Sequence, residues 1–518
     1  VPEGSLGEEV LTLRAWAEDQ SESHGVGDRD SAPSHTERAW RQISVTAREC
    51  LGALKCRYGQ ECFAERARDD ATDAHIIVTN HALLAIDAID GVPMLPDYDA
   101  VVVDEAHELA ARVTQASTNE LSVPTIERAG RRARNAVDGK EADDVVDAAD
   151  ALADVLAATE QGRIDLLSDE LFDALALVRD AARACWSAFP KENTETEPDA
   201  ARQQARSLVD DVRKTADRMA AHLETDVLWL AETRGGVELR IAPIDVSASL
   251  RDKLFGEKTV ILTSATLKLG GGFEPIARSL GLRPGDDEVP WNAIDVGSPF
   301  DYQKQGMLYV AKHLPPPGRD GLGDAQIDEI ADLIEAAGGR TLGLFSSRRA
   351  AETAAERVRE RLPDLDIWCQ GDAQLPELAR RFTDNPRTCL FGTLSLWQGV
   401  DMPGETCQLV IIDRVPFPRP DDPLMSARQR LVEKHGGNGF MTVAASHAAL
   451  LLAQGTGRLI RRASDKGVVA ILDPRLVTAR YGGFLANSLP AMWRTTDKLT
   501  ALAALRRLDE AAGVANND

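Results

Sequence analysis

The stretch VVVDEAHELA, Val101 to Ala110, decides the fold. A short apolar run ends in two acids and a histidine, the order expected of a buried strand that delivers carboxylates at its carboxyl end. Asp104 and Glu105 suit phosphoryl transfer, in which the first would help to hold Mg²⁺ and the second would orient and deprotonate the attacking water. An ordinary exposed Asp-Glu pair at a strand end is the alternative, so this stretch needs support from others.

Further apolar runs alternate with helical patterns along the chain. TLGLFSS, DIWCQ, TCLFGT, CQLVIID and VVAILD are separated by segments such as RRAAETAAERVRERL. This alternation predicts an α/β fold with a doubly wound parallel sheet. DVLWLAE and VELRIAPI, on either side of a glycine turn, predict a β-hairpin.

The middle of the chain has a different pattern. VVDAADALADVLAATE and LFDALALVRDAARACWSAF repeat apolar residues at steps of three and four, which predicts a helical insertion. A plain amphipathic bundle explains this pattern better than a separate catalytic role does.

Three more stretches carry residue types suited to a nucleotide site. TSATL (263–267) places small hydroxyls after a strand, and GTLSLWQGVDMPG (392–404) combines glycines, hydroxyls and a tryptophan. QGTGRLIRR (454–462) is predicted to place Arg458, Arg461 and Arg462 on or near one helical face, where they could stabilise charge on a transferring phosphate. Each stretch alone fits a glycine turn or a solvated basic helix, but the four together in this order indicate a shared site.

Three cysteines form a separate candidate site. Cys50, Cys56 and Cys62 are evenly spaced among basic residues, and thiolates of this kind hold iron–sulfur clusters. Two alternatives stay open, namely a zinc site completed by His75 or His81, and ordinary reduced thiols. The other four cysteines lie in helix or strand patterns and are predicted to be buried.

Composition limits the class of protein. The 518 residues are 43% hydrophobic and 27% charged, which is typical of a globular protein with two to four domains. The net charge of −24 argues against general polyanion binding but leaves room for a local basic groove. No apolar run is long enough to cross a membrane, and seven cysteines in this arrangement predict a reducing compartment, the cytoplasm.

Taken together, the motifs resemble those of superfamily-two helicases. DEAH, SATL, GTLSLWQGVD and QGTGRLIRR resemble motifs two, three, five and six, and the last of these with PFPRPDDPL is similar to the XPD/DinG branch. CLGALKCRYGQECFAERAR followed by HIIVTNHALL resembles the iron–sulfur region of the bacterial DinG group. The resemblance covers nearly the whole chain and implies two RecA-like parallel-sheet motor domains, an iron–sulfur insert and a helical Arch insertion.

The resemblance also implies domain boundaries. Residues 1–112 would form an incomplete first motor domain with the cysteine region at about 45–70, and residues 113–228 the Arch-like insertion. Residues 229–300 would return to the first motor domain, and residues 301–518 would form the second. ATP would close the cleft between the motors, with Asp104 and Glu105 on one wall and Arg458 and Arg461 on the other.

The implied function is ATP-dependent unwinding of DNA in the 5′ to 3′ direction, in repair or replication, by a monomer. The implied cofactors are ATP, Mg²⁺ and a [4Fe–4S] cluster, and the implied partners are single-stranded DNA and duplex junctions, with no membrane. The candidate catalytic residues are Asp104, Glu105, Arg458 and Arg461. The candidate nucleotide-binding residues are His107, Gln454, Gly457, Gly399 and Asp401, and the candidate cluster ligands are Cys50, Cys56 and Cys62. The candidate DNA-binding residues are Arg57, Arg66, Arg68, Ser346, Arg348, Thr393, Ser395 and Trp397.

One expected motif does not occur in the 518 residues. There is no G-x-x-x-x-G-K-[ST] phosphate loop, and no cysteine precedes Cys50, whereas the family carries its first cluster ligand well upstream of the other three. We expect that an N-terminal segment carrying both features has been lost, because one cut upstream of Val1 accounts for both. The alternative is a natural DNA-binding or scaffold protein of the same fold that does not hydrolyse ATP.

Overall fold

The structure is a computed structural model. It describes residues 5–23, 25–45, 50, 52–53, 56, 58–190, 200–233, 236–318, 321–385, 387–393, 396 and 407–515. The chain divides into two compact units. The first comprises Val1–Val103, Glu108–Ile261 and Asp421–Leu424, and the second comprises Asp104–His107, Leu262–Pro420 and Met425–Asp518.

The first unit combines helices with short strands. Its helices are α1 (Ser5–Glu22), α2 (Glu37–Ile43), α3 (Phe63–Thr72), α4 (His81–Ala88), α5 (Leu109–Ala116), α6 (Val123–Ala133), α7 (Glu141–Ala158), α8 (Asp169–Ala188), α9 (Ala200–Ala221) and α10 (Ser247–Leu250). Its strands are β1 (Ala100–Val103), β2 (Asn119–Leu121), β3 (Gly162–Ile164), β4 (Asp226–Thr233), β5 (Gly236–Pro243) and β6 (Thr259–Leu262), of which the last residue belongs to the second unit. Side-chain caps begin several helices, as where Ser168 accepts the N–H of Leu171 at the start of α8.

Helices α6 to α9 form the helical insertion around an apolar core. Each helix contributes to this core, and in α7 the buried residues Val145, Ala149, Leu152 and Leu156 follow the three- and four-residue steps seen in the sequence. An antiparallel sheet in the order β2-β5-β4-β3 packs against the same core. The predicted hairpin is confirmed, since β4 and β5 pair along their whole length.

Strands β1 and β6 form a two-stranded sheet. Thr259 N–H donates to the carbonyl of Asp99 at one end of the pair. Apolar side chains here are poorly covered within the described part of the chain: Val102 is 63% exposed and Ile261 is 52% exposed. Ile76 and Val78, in an extended segment, are 84% and 93% exposed. The prediction that this region is an incomplete first motor domain stays a prediction.

The second unit contains a larger parallel sheet. Its strands are β7 (Gly306–Val310), β8 (Thr341–Phe345), β9 (Asp366–Cys369), β10 (Thr388–Thr393), β11 (Leu409–Ile412), β12 (Gly467–Ile471) and β13 (Trp493–Thr495). Its helices are α11 (Glu274–Ser279), α12 (Tyr302–Gln305), α13 (Asp324–Ala337), α14 (Arg348–Arg361), α15 (Leu375–Asp384), α16 (Pro423–Lys434, whose first residues belong to the first unit), α17 (Ser446–Thr456), α18 (Arg475–Thr478), α19 (Gly482–Asn487) and α20 (Lys498–Ala515).

The sheet order is β13-β7-β12-β11-β8-β10-β9, and all the strand pairs run parallel. This order confirms the predicted α/β class with a doubly wound sheet, because helices must cross between strands that are not neighbours in sequence. The five strands predicted from apolar runs are all present. Strands β7 and β13 were not predicted, since β7 follows a polar QKQ segment and opens with a glycine and a methionine, and β13 is only three residues long.

Apolar residues cover both faces of this sheet. Successive residues of one strand belong to different core clusters, as with Leu308 and Tyr309 or Leu344 and Phe345. Strands buried on both faces are expected to read as continuous apolar runs, which is why these strands stood out in the sequence. The polar residues that follow β8, β11 and β12 then lie at the carboxyl edge of the sheet, where ligands bind in folds of this class.

The four cysteines assigned to core positions, Cys185, Cys369, Cys389 and Cys407, are all buried, which confirms that prediction. Burial raises the pKa of the Cys185 and Cys369 thiols to about 11 and that of Cys389 and Cys407 to about 12. Within the described ranges, every helix is too short or too polar to span a bilayer.

Candidate functional site

The acids of the DEAH stretch follow β1 and lie in the second unit. Asp104 Oδ1 accepts the N–H of Glu105 at 2.9 Å and the hydroxyl of Thr263 at 2.9 Å. Glu105 has a φ of 47°, a left-handed conformation that is costly for a residue with a Cβ and is found most often at functional sites. The backbone therefore turns sharply at the position predicted to activate water.

The hydroxyls of the TSATL stretch reach the same acids. Ser264 Oγ donates to Glu105 Oε2 at 3.0 Å and lies 2.8 Å from His107 Nδ1. Thr266 Oγ1 lies 3.1 Å from the same ring nitrogen, and Glu105 Oε2 lies 3.2 Å from it. The backbone also joins the two segments, because Ala106 N–H donates to the carbonyl of Thr263. Two stretches separated by about 160 residues are thus one hydrogen-bonded cluster.

Gln454 joins this cluster from helix α17. Its side-chain Nε2 contacts His107 Nε2, and its Oε1 is buried with no hydrogen-bond partner among the described residues. If the amide donates, His107 Nε2 must accept, so the ring proton sits on Nδ1, facing the hydroxyls of Ser264 and Thr266.

The arginines of QGTGRLIRR follow α17 instead of sharing its face. The helix ends at Thr456, with Gly457 as its C-cap, so the predicted helical face for Arg458, Arg461 and Arg462 is wrong. Two glycines flank Thr456 in the sequence, and glycine next to a helix end is a stop signal that outweighs the three- and four-residue spacing.

Arg458 and Arg461 are half-buried, and Arg462 is exposed. Burial lowers the pKa of Arg458, and the nearby Glu105 carboxylate opposes this effect. Burial likewise lowers the pKa of Arg461, opposed by Asp465. Both guanidiniums remain charged at neutral pH, since arginine titrates far above it. The structure therefore brings Arg458 into the electrostatic range of one predicted catalytic acid.

Three candidate DNA-binding residues of the second unit, Ser346, Arg348 and Thr393, lie at or just beyond the carboxyl ends of β8 and β10. Thr393 is opposite Phe345 in the sheet, so Ser346 follows at the adjacent strand end. Ser346 donates through both N–H (2.9 Å) and Oγ (2.8 Å) to Asp413, and Thr393 donates through both groups to Gln370 Oε1 at 3.0 Å. Arg348 begins α14 and pairs with Glu352 at 2.8 Å.

Sequence reasoning missed Asp413 and Gln370, which hold these hydroxyls. Asp413 is 3% exposed, and burial raises its pKa from the ordinary value of 3.8 to about 6, against the opposing effects of Arg414 and Ser346. An acid that directly follows a fully apolar strand, as in LVIID, is the signal that could have identified it. Gln370 carries no comparable signal.

The three candidate cluster cysteines are half-buried and unpaired as thiols. Their donor chemistry suits iron or zinc, but in the described part of the chain no three His, Cys, Asp or Glu side chains are gathered closely enough to hold a metal ion. Nearby, Arg66 donates to the carbonyl of Gly25 and lies over the Phe63 ring, while Arg68 pairs with Glu65.

Five candidate residues lie outside the described residues. They are Arg57, Ser395, Trp397, Gly399 and Asp401.

Comparisons with known proteins place these observations in a family. A family model described as a helicase C-terminal domain matches residues 330–492. The chain is 50% identical over 520 residues to the ATP-dependent helicase DinG of Mycobacterium tuberculosis, covering 98% of this chain and 77% of that protein. It is 30% identical over 518 residues to the ATP-dependent DNA helicase YoaA of Escherichia coli, covering 96% and 79%.

The fold comparison agrees with the sequence comparisons. The solved structure of S. tokodaii Xpd4 superposes with a TM-score of 0.51 at 15% identity, over 80% of this chain and 81% of that one. At this identity the likeness concerns the fold alone. The sequence relatives carry the assignment further, and this chain belongs to the DinG family of ATP-dependent helicases.

Proposed function

We propose that this chain, in the protein expressed from its complete reading frame, works as an ATP-dependent DNA helicase that moves 5′ to 3′ along single-stranded DNA, in repair or replication, as a cytoplasmic monomer. The observation that carries the proposal is the cluster formed by Glu105, Ser264, His107 and Gln454 in the second unit. Residues from three distant stretches meet there, and two of them are an acid and a histidine suited to phosphate chemistry.

Each residue of the cluster has a role in this proposal. Asp104 would hold Mg²⁺, which supplies charge neutralisation to the phosphates when it is bound. Glu105 would orient the attacking water and accept its proton. Arg458 and Arg461 would stabilise the charge that develops on the γ-phosphate. His107 is hydrogen-bonded to both Ser264 and Gln454. It would therefore couple a change in the position of Glu105 to the TSATL and QGTGRLIRR stretches.

The experiment that tests the proposal compares Glu105→Gln with the matched variant Glu108→Gln. The protein expressed from its complete reading frame should hydrolyse ATP when single-stranded DNA is added. Glu105→Gln should reduce kcat by about 100-fold or more, because general base catalysis contributes about 10²–10⁴. Glu108, which pairs with Arg112 on the first helical turn after the site, should tolerate the change. Equal activity of both variants would remove Glu105 from the mechanism.

DNA would bind through the carboxyl ends of β8 and β10. Ser346 and Thr393 present hydroxyls there on neighbouring strands, and Arg348 adds a charge at the start of α14. Hydroxyls, backbone N–H groups and cations grip phosphate and sugar without reading the bases, which suits a motor that must move over any sequence. Arg66 would add a contact from the first unit.

The same proposal assigns a [4Fe–4S] cluster to Cys50, Cys56 and Cys62. Support comes from three half-buried thiols on one short segment and from the burial of the other four thiols. Anaerobically purified protein should contain iron and acid-labile sulfide, and both should be lost in Cys56→Ser but retained in Cys185→Ser. Zinc without sulfide, or no metal at all, would contradict the assignment.

A second candidate function is a DNA-binding or scaffold protein of the same fold without ATP hydrolysis. One observation favours it, namely that no phosphate loop occurs in the 518 residues. Translation of the genomic DNA upstream of Val1 separates the two candidates. An in-frame phosphate loop and cysteine support the helicase, and a stop codon directly upstream supports the binding protein.

A further inference from the structure

The segment that carries the three arginines is an irregular loop, residues 457–465, which we call the arginine loop. It has no helical hydrogen-bond ladder to fix its shape, because α17 ends before it. On its apolar side Leu459 and Ile460 are buried, at 0% and 2% exposure. Two hydrophobic anchors hold the loop against the core, and the N–H of Arg458 donates to the carbonyl of Gly455 at the helix end. The backbone direction at Arg461 and Arg462 is left to be set by other contacts.

Asp465 fixes the backbone at two of the arginines. Its Oδ2 accepts the N–H of Arg461 at 2.8 Å and that of Arg462 at 2.7 Å, and its own N–H donates to the carbonyl of Arg462. The residue is 3% exposed. Its other oxygen, Oδ1, is buried with no hydrogen-bond partner among the described residues. The two N–H groups at Oδ2 are therefore the contacts that offset the burial of this carboxylate, and they constrain the backbone at Arg461 and Arg462 in return.

Gln305 supports the loop from the opposite side. It is the last residue of α12, it is 8% exposed, and its Nε2 faces three carbonyl oxygens at 3.0–3.1 Å. The carbonyls belong to Arg462, Ala463 and Asp465. Its Oε1 accepts the N–H of Asp301 at 2.8 Å, which sets which end of the amide faces the loop. One side chain from about 160 residues upstream therefore shares its two N–H donors among the three carbonyls of a turn that has no helix to satisfy them.

We propose that Gln305 and Asp465 are positioning residues for ATP hydrolysis, which act by holding the arginine loop in the shape that aims Arg461. The proposal rests on the proposed function and adds two residues outside the motifs that indicated it. Misplacing a catalytic group by about 1 Å can lower a rate by about 10²-fold. The rate of ATP hydrolysis should therefore depend strongly on the two polar side chains that hold this loop. Neither residue needs to touch the nucleotide.

The test measures kcat and KM of DNA-stimulated ATP hydrolysis in the protein expressed from its complete reading frame. Asp465→Ala and Gln305→Leu should each lower kcat by about 10- to 100-fold with KM within about 3-fold, because the arginines act on charge that develops in the transition state. Asp465→Asn should recover most of the loss, since its carbonyl oxygen can still accept both N–H groups. Gln326→Leu, at a glutamine 7% exposed that caps α13, is the matched control and should leave kcat unchanged.

Hydrogen–deuterium exchange supplies the second measurement. The amides of Arg461 and Arg462 should exchange at least about 10-fold faster in Asp465→Ala than in the unaltered protein, while the strands of the second unit keep their protection. If Asp465→Ala does not fold, the near-isosteric Gln305→Met decides the question instead. Folded variants with unaltered kcat would overturn the proposal. Absence of ATP hydrolysis in the unaltered protein would instead count against the proposed function, and the exchange rates would then show whether these two side chains hold the loop.

Discussion

The imidazole of His107 contacts the side-chain amide of Gln454, although the two residues are 347 positions apart in the chain. This contact joins the DEAH stretch to the end of α17, and the opposite ring nitrogen contacts the hydroxyls of Ser264 and Thr266. One ring thus connects three motifs. The contribution of the His107–Gln454 contact to ATP hydrolysis can be measured as a coupling energy, because each side chain can be removed separately.

We predict that His107→Ala and Gln454→Ala lower DNA-stimulated ATP hydrolysis non-additively. Either change removes the same contact, so the double variant should be little worse than the poorer single variant, with a coupling of about 0.5–3 kcal/mol. The control cycle combines His107→Ala with Gln303→Ala, at an exposed position, and should be additive. Additive effects in the His107–Gln454 cycle would mean that this contact makes no contribution to ATP hydrolysis.

We expect the 518-residue chain, expressed alone, to hydrolyse little or no ATP. The β- and γ-phosphates lack the backbone N–H groups and lysine of a phosphate loop, which are their main anchor in proteins of this class. A phosphate-release assay with saturating single-stranded DNA measures this directly. Robust DNA-stimulated turnover by the 518 residues would show that other residues bind the phosphates.

Burial of Asp413 predicts a specific dependence of stability on pH. Its folded-state pKa of about 6 exceeds its ordinary value of 3.8, so folding favours the protonated form. Between about pH 4 and 6 the unfolded chain releases this proton and the folded chain keeps it, so the contribution of Asp413 to stability falls as pH rises. The free energy of unfolding, relative to Asp413→Asn, should decrease from pH 4 to 7 by up to about 3 kcal/mol.

Denaturant titrations of both proteins at pH 4, 5, 6 and 7 provide the measurement. Exposed carboxylates are the same in the two proteins, so their effects cancel in the difference. A difference that stays constant across this range would show that Asp413 is not protonated on folding. A difference that increases with pH would contradict the sign argued above.

Arg348 offers a prediction for DNA binding. Arg348→Ala should weaken binding of single-stranded DNA and reduce the slope of log K against log salt by about 0.7, which is the release of counterions for one phosphate contact on a single strand. Arg380→Ala is the matched control, because both arginines are more than 60% exposed and each pairs with a glutamate on its own helix. Fluorescence anisotropy at several salt concentrations measures the slope. Equal slopes for the two variants would place the DNA elsewhere.

Much of the second unit could be predicted from the sequence because its strands are buried on both faces. Runs such as LVII and GVVAI are continuous and apolar, which is the pattern of strands buried on both faces of a parallel sheet. Strand β7 escaped detection because the glycine and methionine that open it are weak strand formers. The arginine loop was misassigned to a helix because spacing alone does not show where a helix ends.

The residues of the site could be predicted only where the side chain itself suggests a catalytic or binding role. Asp104, Glu105 and the arginines stand out in the sequence because charged side chains next to apolar runs often belong to a functional site. Gln305 and Asp465 do not, because their role depends on carbonyls and N–H groups that come near them only in the folded chain. Hydrogen bonds between segments distant in sequence are the feature of the site that periodicity and motifs cannot predict.

The burial of four of the seven cysteines has a practical consequence. Thiol reagents such as maleimides react with the thiolate, and a buried thiol whose pKa is about 11 or 12 offers almost none near pH 7. A dye or spin label added to the native protein from which the proposed cluster has been removed should therefore attach only to the segment that holds Cys50, Cys56 and Cys62. That segment can be labelled without first replacing the four interior cysteines.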